Sequence, residues 1–439
     1  MRRETIEARL GEILSRVGKA DLIAASSSTT PVDFEMDRLK SVEDIDRWSV
    51  GLRIFEKGRV GNSYINSFDD VDALIANASA SAALGEELDL DLPGPSAWRE
   101  LPLCRPETDA VSKEEMIGRG EEVMKRLKTI DPEAQASVSI GRSHESRWLY
   151  NSSGFRGFYE ETGFSMHASL LRVEEGGGLL SVSDGDGRNG TNLDVETIIS
   201  NIEWRYRNSL VKVDAPTGYF PVLFMPEALG ILLDAVELAA SGKTLQRGIS
   251  VLDGREGETV ASKLLTLTDD PFDLDGSSCY PFDDEGVVPA AMPVIEKGVF
   301  RNFTLDLASA KRTGRNSNGR GHRGTTSLPS PGNSNLVVAP GSVPLADMIA
   351  GIDRGLIVSD FLGGGMSNMV AGDFSVNIEL GWLVEKGRVV GRVKDAMISG
   401  NAWELLKNIA SLENRTYRCG SLIAPHVLVD GISVTGNIE

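Results

Sequence analysis

Apolar positions recur at helical spacing at the N-terminus, where Ile6, Leu10, Ile13, Leu14 and Val17 fall on one face and predict an amphipathic helix. Ala20 to Ala25 reads as a strand and is followed by a Ser/Thr-rich turn, Ser26 to Thr30. Residues 35–48 fit either a strand-turn-strand or a helix. Trp48, Val50, Leu52 and Ile54 alternate with polar residues, and a turn at Lys57-Gly58 leads to a second strand, Arg59 to Ile65, which predicts a hairpin. An Ala-rich helical stripe (Val71, Leu74, Ile75, Ala78) follows it. Pro93, Pro95, Pro102 and Pro106 then mark an extended crossing.

Ser112 with Glu115 three residues on forms a capping box for a helix through Met116, Val123, Met124 and Leu127. Ala134 to Ile140, Ser146 to Asn151 and Gly154 to Glu174 read as successive antiparallel strands, with a hairpin turn at Asn151-Ser152-Ser153-Gly154. A helix, Asp194 to Arg207, closes this region. Farther on, Pro226 to Lys243 shows Leu229, Leu232, Leu233, Val236 and Ala240 on a buried helical face, ended by Gly242. Leu328 to Trp382 combines the strands Leu336 to Ala339 and Gly355 to Val358 with a short helical pattern over Leu345, Met348, Ile349 and Ile352. It also carries a glycine run, Gly363-Gly364-Gly365, and a Gly372-Asp373-Phe374-Ser375 turn, where backbone approaches closely or takes positive φ.

The expected fold is therefore α+β. Residues 1–110 form a small N-terminal α/β domain with its Pro-rich linker, residues 111–212 a middle helix-plus-antiparallel-sheet region, and residues 213–439 a large β-rich C-terminal domain. A chain of 439 residues, 41% hydrophobic and 25% charged, is long enough for two or three cores. Its net charge of -19 opposes general binding to DNA or anionic membrane, and mostly reflects solubility. No run approaches a membrane helix, the first seventeen residues lack the apolar core of a signal peptide, and Cys104, Cys279 and Cys419 stand in no CxxC spacing. These features together predict a cytoplasmic protein.

The block LPSPGNSNLVVAPG, the glycine run with Ser367-Asn368, Gly372-Asp373-Phe374-Ser375 and the later SGNAWELLKNI resemble the C-terminal domain of the TldD/PmbA family of peptidase-related proteins. In catalytic TldD-type members, the helix equivalent to Pro226–Lys243 resembles HExxxH, whose two histidines and glutamate supply zinc ligands and a general base. Laying that pattern over GILLDAVELAASG puts Asp234 at the first histidine, Ala235 at the glutamate and Ala239 at the second histidine. Asp234 could ligate a hard metal or be a solvated helix carboxylate, but neither alanine offers a donor. The resemblance is thus to the PmbA/TldE type, a subunit without its own catalytic residues or metal, with zinc expected in a TldD-type partner.

It implies a homodimer when the chain is alone, or a heterodimer with an HExxxH subunit, acting on unfolded or extended peptides. Gly363, Gly364, Gly365, Asn368, Asp373 and Ser375 are candidate substrate contacts in a cleft, or else tight structural turns. Lys311 to Arg323 holds five basic residues in thirteen and reads as a mobile solvated loop, a substrate contact through Arg320 and Arg323, or a nucleic-acid contact of the kind suggested by the family label, modulator of DNA gyrase. The lack of interleaved aromatics opposes the last. An autonomous metallopeptidase would need other ligands, for which Cys419, His426 and Asp373 are the candidates. The third class is a non-hydrolytic binder of a protein or DNA target.

Overall fold

The computed structural model describes residues 2–176, 178–363 and 368–436, so Gly364 and Gly365 of the glycine run lie outside the described residues. The fold is α+β, as expected. Its first sheet consists of β1 (Ala20–Glu35), β2 (Arg38–Val42), β3 (Ile45–Glu56), β4 (Arg59–Ile65), β5 (Gln135–Asn151), β6 (Arg156–Val173) and β7 (Leu179–Arg188). The strand order is β4-β3-β1-β5-β6-β7, with β2 paired to β1, and every pairing is antiparallel. Because β1 and β5 pair from Asp21–Asn151 to Phe34–Val138, residues expected in an N-terminal domain and in a middle region share one sheet.

Residues 35–48 resolve as strand-turn-strand. Two local expectations change, for one reason. Ser26 to Thr30 continues β1 and does not turn, and the polar segment Gly141–Glu145 continues β5 without dividing it. Both segments are hydrogen-bonded on both sides, β1 to β3 and β5, and β5 to β1 and β6. Two complete ladders outweigh the local turn preference of hydroxyl side chains.

The period-2 alternation of β1 separates two environments. Its even positions Leu22, Ala24, Val32 and Phe34 are buried under four helices. These are α1 (Arg3–Ser15) and α2 (Val71–Leu84) at one end, with α4 (Lys113–Ile130) and α5 (Val195–Ser209) at the other; α3 is the single turn Pro106–Asp109. The odd positions Asp21 and Ile23 face the C-terminal half, where Ile23 packs with Phe155 and Phe282. At Gly51 on β3 an added Cβ would sit 2.0 Å from the Thr325 carbonyl oxygen, so glycine lets the two halves approach backbone to backbone.

In the C-terminal half, strands Gly218–Phe224, Val427–Thr435, Met397–Asn401, Asp373–Glu385 and Arg354–Leu362 pair in that order. The last pairs back onto the first and closes a ring. The core of this half takes in α6 (Gly230–Ala240), through Leu232, Leu233, Ala235, Val236, Ala239 and Ala240. Gly242, expected to end this helix, instead opens a further short helix, Gly242–Gln246, after a cap at Ser241. A six-stranded sheet ends on Tyr417–Cys419.

Candidate functional site

A cavity of about 840 Å³ lies between the halves. One wall is β7 (Ser183 to Asp186, Arg188) with α5 behind it, and the opposite wall is Arg415 to Cys419. The cavity also meets Pro226 and Glu227, which lead into α6, and an apolar floor that includes Leu223, Met225 and Ile423. β7 ends the first sheet and Tyr417–Cys419 ends the six-stranded sheet, so two terminal strands border one cleft. A terminal strand presents unpaired N–H and C=O groups, which is what an extended peptide pairs with.

Charge organises this cleft. Arg205 on α5 donates to the Ser183 carbonyl at 2.6 Å and pairs with Glu227, while Arg418 pairs with Asp186 at 3.0 Å across the cleft. Asp184 accepts from Asn201 at 2.7 Å, and burial, reinforced by Glu227, raises its carboxyl despite the nearby Arg205. Burial, with Glu227 and Asp184 adding to it, pushes the Cys419 thiol up to about 12. Cys419 is therefore a neutral thiol and a poor nucleophile. Sequence reasoning missed Asp184, Arg205 and Glu227. The signal for Arg205 was its place on the apolar stripe of α5 after Ile198 and Ile202, where a charge needs a partner.

Of the candidate ligands, Cys419 and His426 both line the cleft but Asp373 does not, and the three form no ligand cluster among the described residues. His426 Nδ1 lies 2.6 Å from Glu413 Oε2, both buried, and its ring meets half-buried Tyr417 edge-on at 5.0 Å, a triad closed by the Tyr417 hydroxyl donating to Glu413 at 2.9 Å. Asp373 is exposed and accepts from Asn401 at 2.8 Å. On α6, Ala235 and Ala239 are wholly buried in the apolar core. Asp234 is exposed, and partial desolvation raises its carboxyl. One carboxylate beside two buried methyl groups does not fit a zinc site, which needs at least three donors.

The described turn candidates make these contacts. Gly363 and Gly372 take positive φ of 73° and 84°, and Asn368 N–H and C=O bond back to Asp373 and Gly372. Ser375 is exposed and its hydroxyl donates to Met397 Sδ at 3.0 Å. None of Gly363, Asn368, Asp373 and Ser375 lines either cavity.

The basic segment requires a correction. Arg320 is fully buried and donates to Asp269 Oδ1 at 3.0 Å and to the Ala290 and Asn318 carbonyls. Arg323 is buried against Asp21 at 2.6 Å. While Lys311, Arg312 and Arg315 stay exposed, Arg320 and Arg323 thus offer no surface for substrate or DNA. Both were read as exposed because Gly, Asn and Ser surround them, and their carboxylate partners lie 51 and 302 residues away in sequence.

A second cavity, about 330 Å³, is lined by Arg147, Glu161, His322 and Asn333 among others. Burial and the directly opposed Glu145 push Glu161 up to about 7, with Arg147 opposing. Asn333, in the PGNSN segment, donates to Glu237 of α6 at 2.7 Å.

Comparison with known proteins agrees with this geometry. Residues 217–436 match the PmbA/TldA metallopeptidase C-terminal domain, and residues 20–82 match PmbA/TldA metallopeptidase domain 1. A metalloprotease of Methanothermobacter thermautotrophicus is 24% identical over 409 residues, covering 91% of this chain and 89% of that protein. An uncharacterized protein of Methanocaldococcus jannaschii is 26% identical over 426 residues, covering 94% and 95%. The crystal structure of TldE from Thermococcus kodakarensis superposes with a TM-score of 0.90 at 26% identity, covering 98% of this chain and all of that one. The chain belongs to the PmbA/TldD family, metallopeptidase-related proteins of the PmbA, TldD and TldE types.

Proposed function

We propose that this chain is the non-catalytic subunit of a TldD/TldE-like zinc metallopeptidase that acts on unfolded or extended peptides. The observation that carries the reading is the burial of Ala235 and Ala239 in apolar core, at the positions where the catalytic type places its glutamate and second histidine. In this reading, zinc and general base come from a TldD-type HExxxH partner. This chain contributes the cleft between β7 and Tyr417–Cys419, where backbone pairing holds a peptide with little demand on its side chains. Arg205 and Arg418 fix the walls, and the apolar floor accepts side chains of mixed size. Among the described residues no helix is long and apolar enough to cross a membrane, and the three cysteines are free, which supports a reducing, cytoplasmic setting.

Against the autonomous-peptidase reading, Asp373 lies outside the cleft that Cys419 and His426 line, and His426 is engaged by Glu413. The DNA-binding reading loses Arg320 and Arg323 to burial. Light scattering on the chain mixed with an HExxxH-bearing TldD-type subunit tests the pairing. A stable heteromeric complex is expected. Two homomeric species that never exchange would overturn the proposal.

A further inference from the structure

Away from the cleft, the face of the first sheet brings three different donor types to one place. Cys104 Sγ, an Asp109 carboxylate oxygen and a His144 ring nitrogen all lie within 4.8 Å of one another. His144 Nδ1 is 2.8 Å from Asp109 Oδ2, and its Nε2 is 3.6 Å from Glu160 Oε1 on the neighbouring strand β6. None of these four residues lines the large cleft or the second cavity.

The backbone holds these donors in place before any ligand arrives. Cys104 lies between two residues pinned to Thr162 of β6. The Leu103 carbonyl accepts from the Thr162 N–H at 3.1 Å, and Arg105 N–H donates to Thr162 Oγ1 at 2.9 Å. Asp109 ends the single turn α3, whose Thr108 hydroxyl donates to the Asn189 carbonyl at 2.7 Å, and Arg142 donates to the Asp109 carbonyl at 2.9 Å. His144 sits within β5, paired on both sides, and Glu160 is its diagonal neighbour across the β5–β6 ladder. Backbone that holds its ligands close together is what a selective metal site requires.

We propose that Cys104, Asp109 and His144 bind a thiophilic divalent transition metal of the zinc class, with Glu160 or water as fourth ligand. A thiolate, an imidazole and a carboxylate are the donor set zinc takes, and hard cations such as calcium or magnesium take oxygen alone. Zinc ligands about 2.0–2.3 Å from the metal stand roughly 3.3–3.7 Å apart, so closure asks for about 1 Å of side-chain movement. Cys104 and His144 are half-buried and Asp109 is exposed, which leaves the metal a path from solvent. Without a cation, burial and the carboxylates of Glu160, Asp109 and Glu107 keep the Cys104 thiol up, and a divalent charge reverses that field. Binding releases the thiol proton to solvent. This site is separate from the catalytic zinc of the proposed partner and does not depend on that reading.

The test is titration of the full chain with cobalt(II) and then zinc, followed by absorption and by elemental analysis after desalting. One equivalent of cobalt with a thiolate-to-cobalt charge-transfer absorption in the near ultraviolet is expected, displaced by zinc. Cys104→Ser should abolish that absorption, and His144→Ala should weaken zinc binding at least about tenfold, while Cys419→Ser changes neither. Circular dichroism establishes that each variant is folded. No charge-transfer absorption in the parent chain, or one that survives Cys104→Ser, overturns the proposal.

Discussion

Glu161 gives a prediction whose magnitude follows from the sheet register. It stands directly opposite Glu145 across the β5–β6 ladder, and it lines the second cavity. Burial and that facing carboxylate raise its pKa from 4.5 to about 7, with Arg147 only partly compensating. A raised carboxyl binds its proton more tightly folded than unfolded. Its contribution is therefore most favourable below pH 4.5 and is lost as pH rises through about 7. At 1.36 kcal/mol per pKa unit the full span is about 3.4 kcal/mol, an upper limit, because solvent reaches part of this side chain. Glu161→Gln removes the titration and keeps the shape. The stability difference between Glu161→Gln and the parent, from urea unfolding at pH 5 and pH 8, should grow by about 1–2 kcal/mol in favour of the glutamine variant at pH 8. A difference that is flat with pH, or that grows toward acid, refutes the reasoning.

Two further outcomes follow. Arg53 donates to Asp21 and Glu285, all three fully buried, so Arg53→Met leaves Glu285 without its cation and Asp21 with Arg323 alone, and should cost about 3–5 kcal/mol in urea unfolding. Ala239→His places an imidazole in the apolar core around α6, and should destabilise by about 2–4 kcal/mol without creating zinc binding at that helix, measured by unfolding and metal content.

Local periodicity identified most helices and the β3–β4 hairpin because those elements bury one face each, and burial writes itself into spacing. The N-cap at Ser112 is one case, its hydroxyl accepting from Glu115 N–H at 3.1 Å, while the Glu115 carboxylate pairs with Arg119. Ser26 to Thr30 was not legible, since a hydroxyl-rich run carries no periodicity and its strand state comes from partners in β3 and β5. Nor was the site legible beyond α6. The missing donors at Ala235 and Ala239 could be read from sequence, but the cleft is assembled from β7, α5, Glu227 and Cys419, which no local window connects. Arg320 and Arg323 were misread because a buried arginine and a solvated one look alike until the carboxylate that pairs with each is placed.

The most direct test of the account is hydrolysis of an unfolded peptide by this chain alone, by an HExxxH-bearing TldD-type subunit alone, and by the two together with zinc. The account predicts no cleavage by this chain alone and cleavage by the mixture, abolished when the partner's HExxxH histidines are replaced. Zinc-dependent cleavage by this chain in the absence of any partner would contradict it.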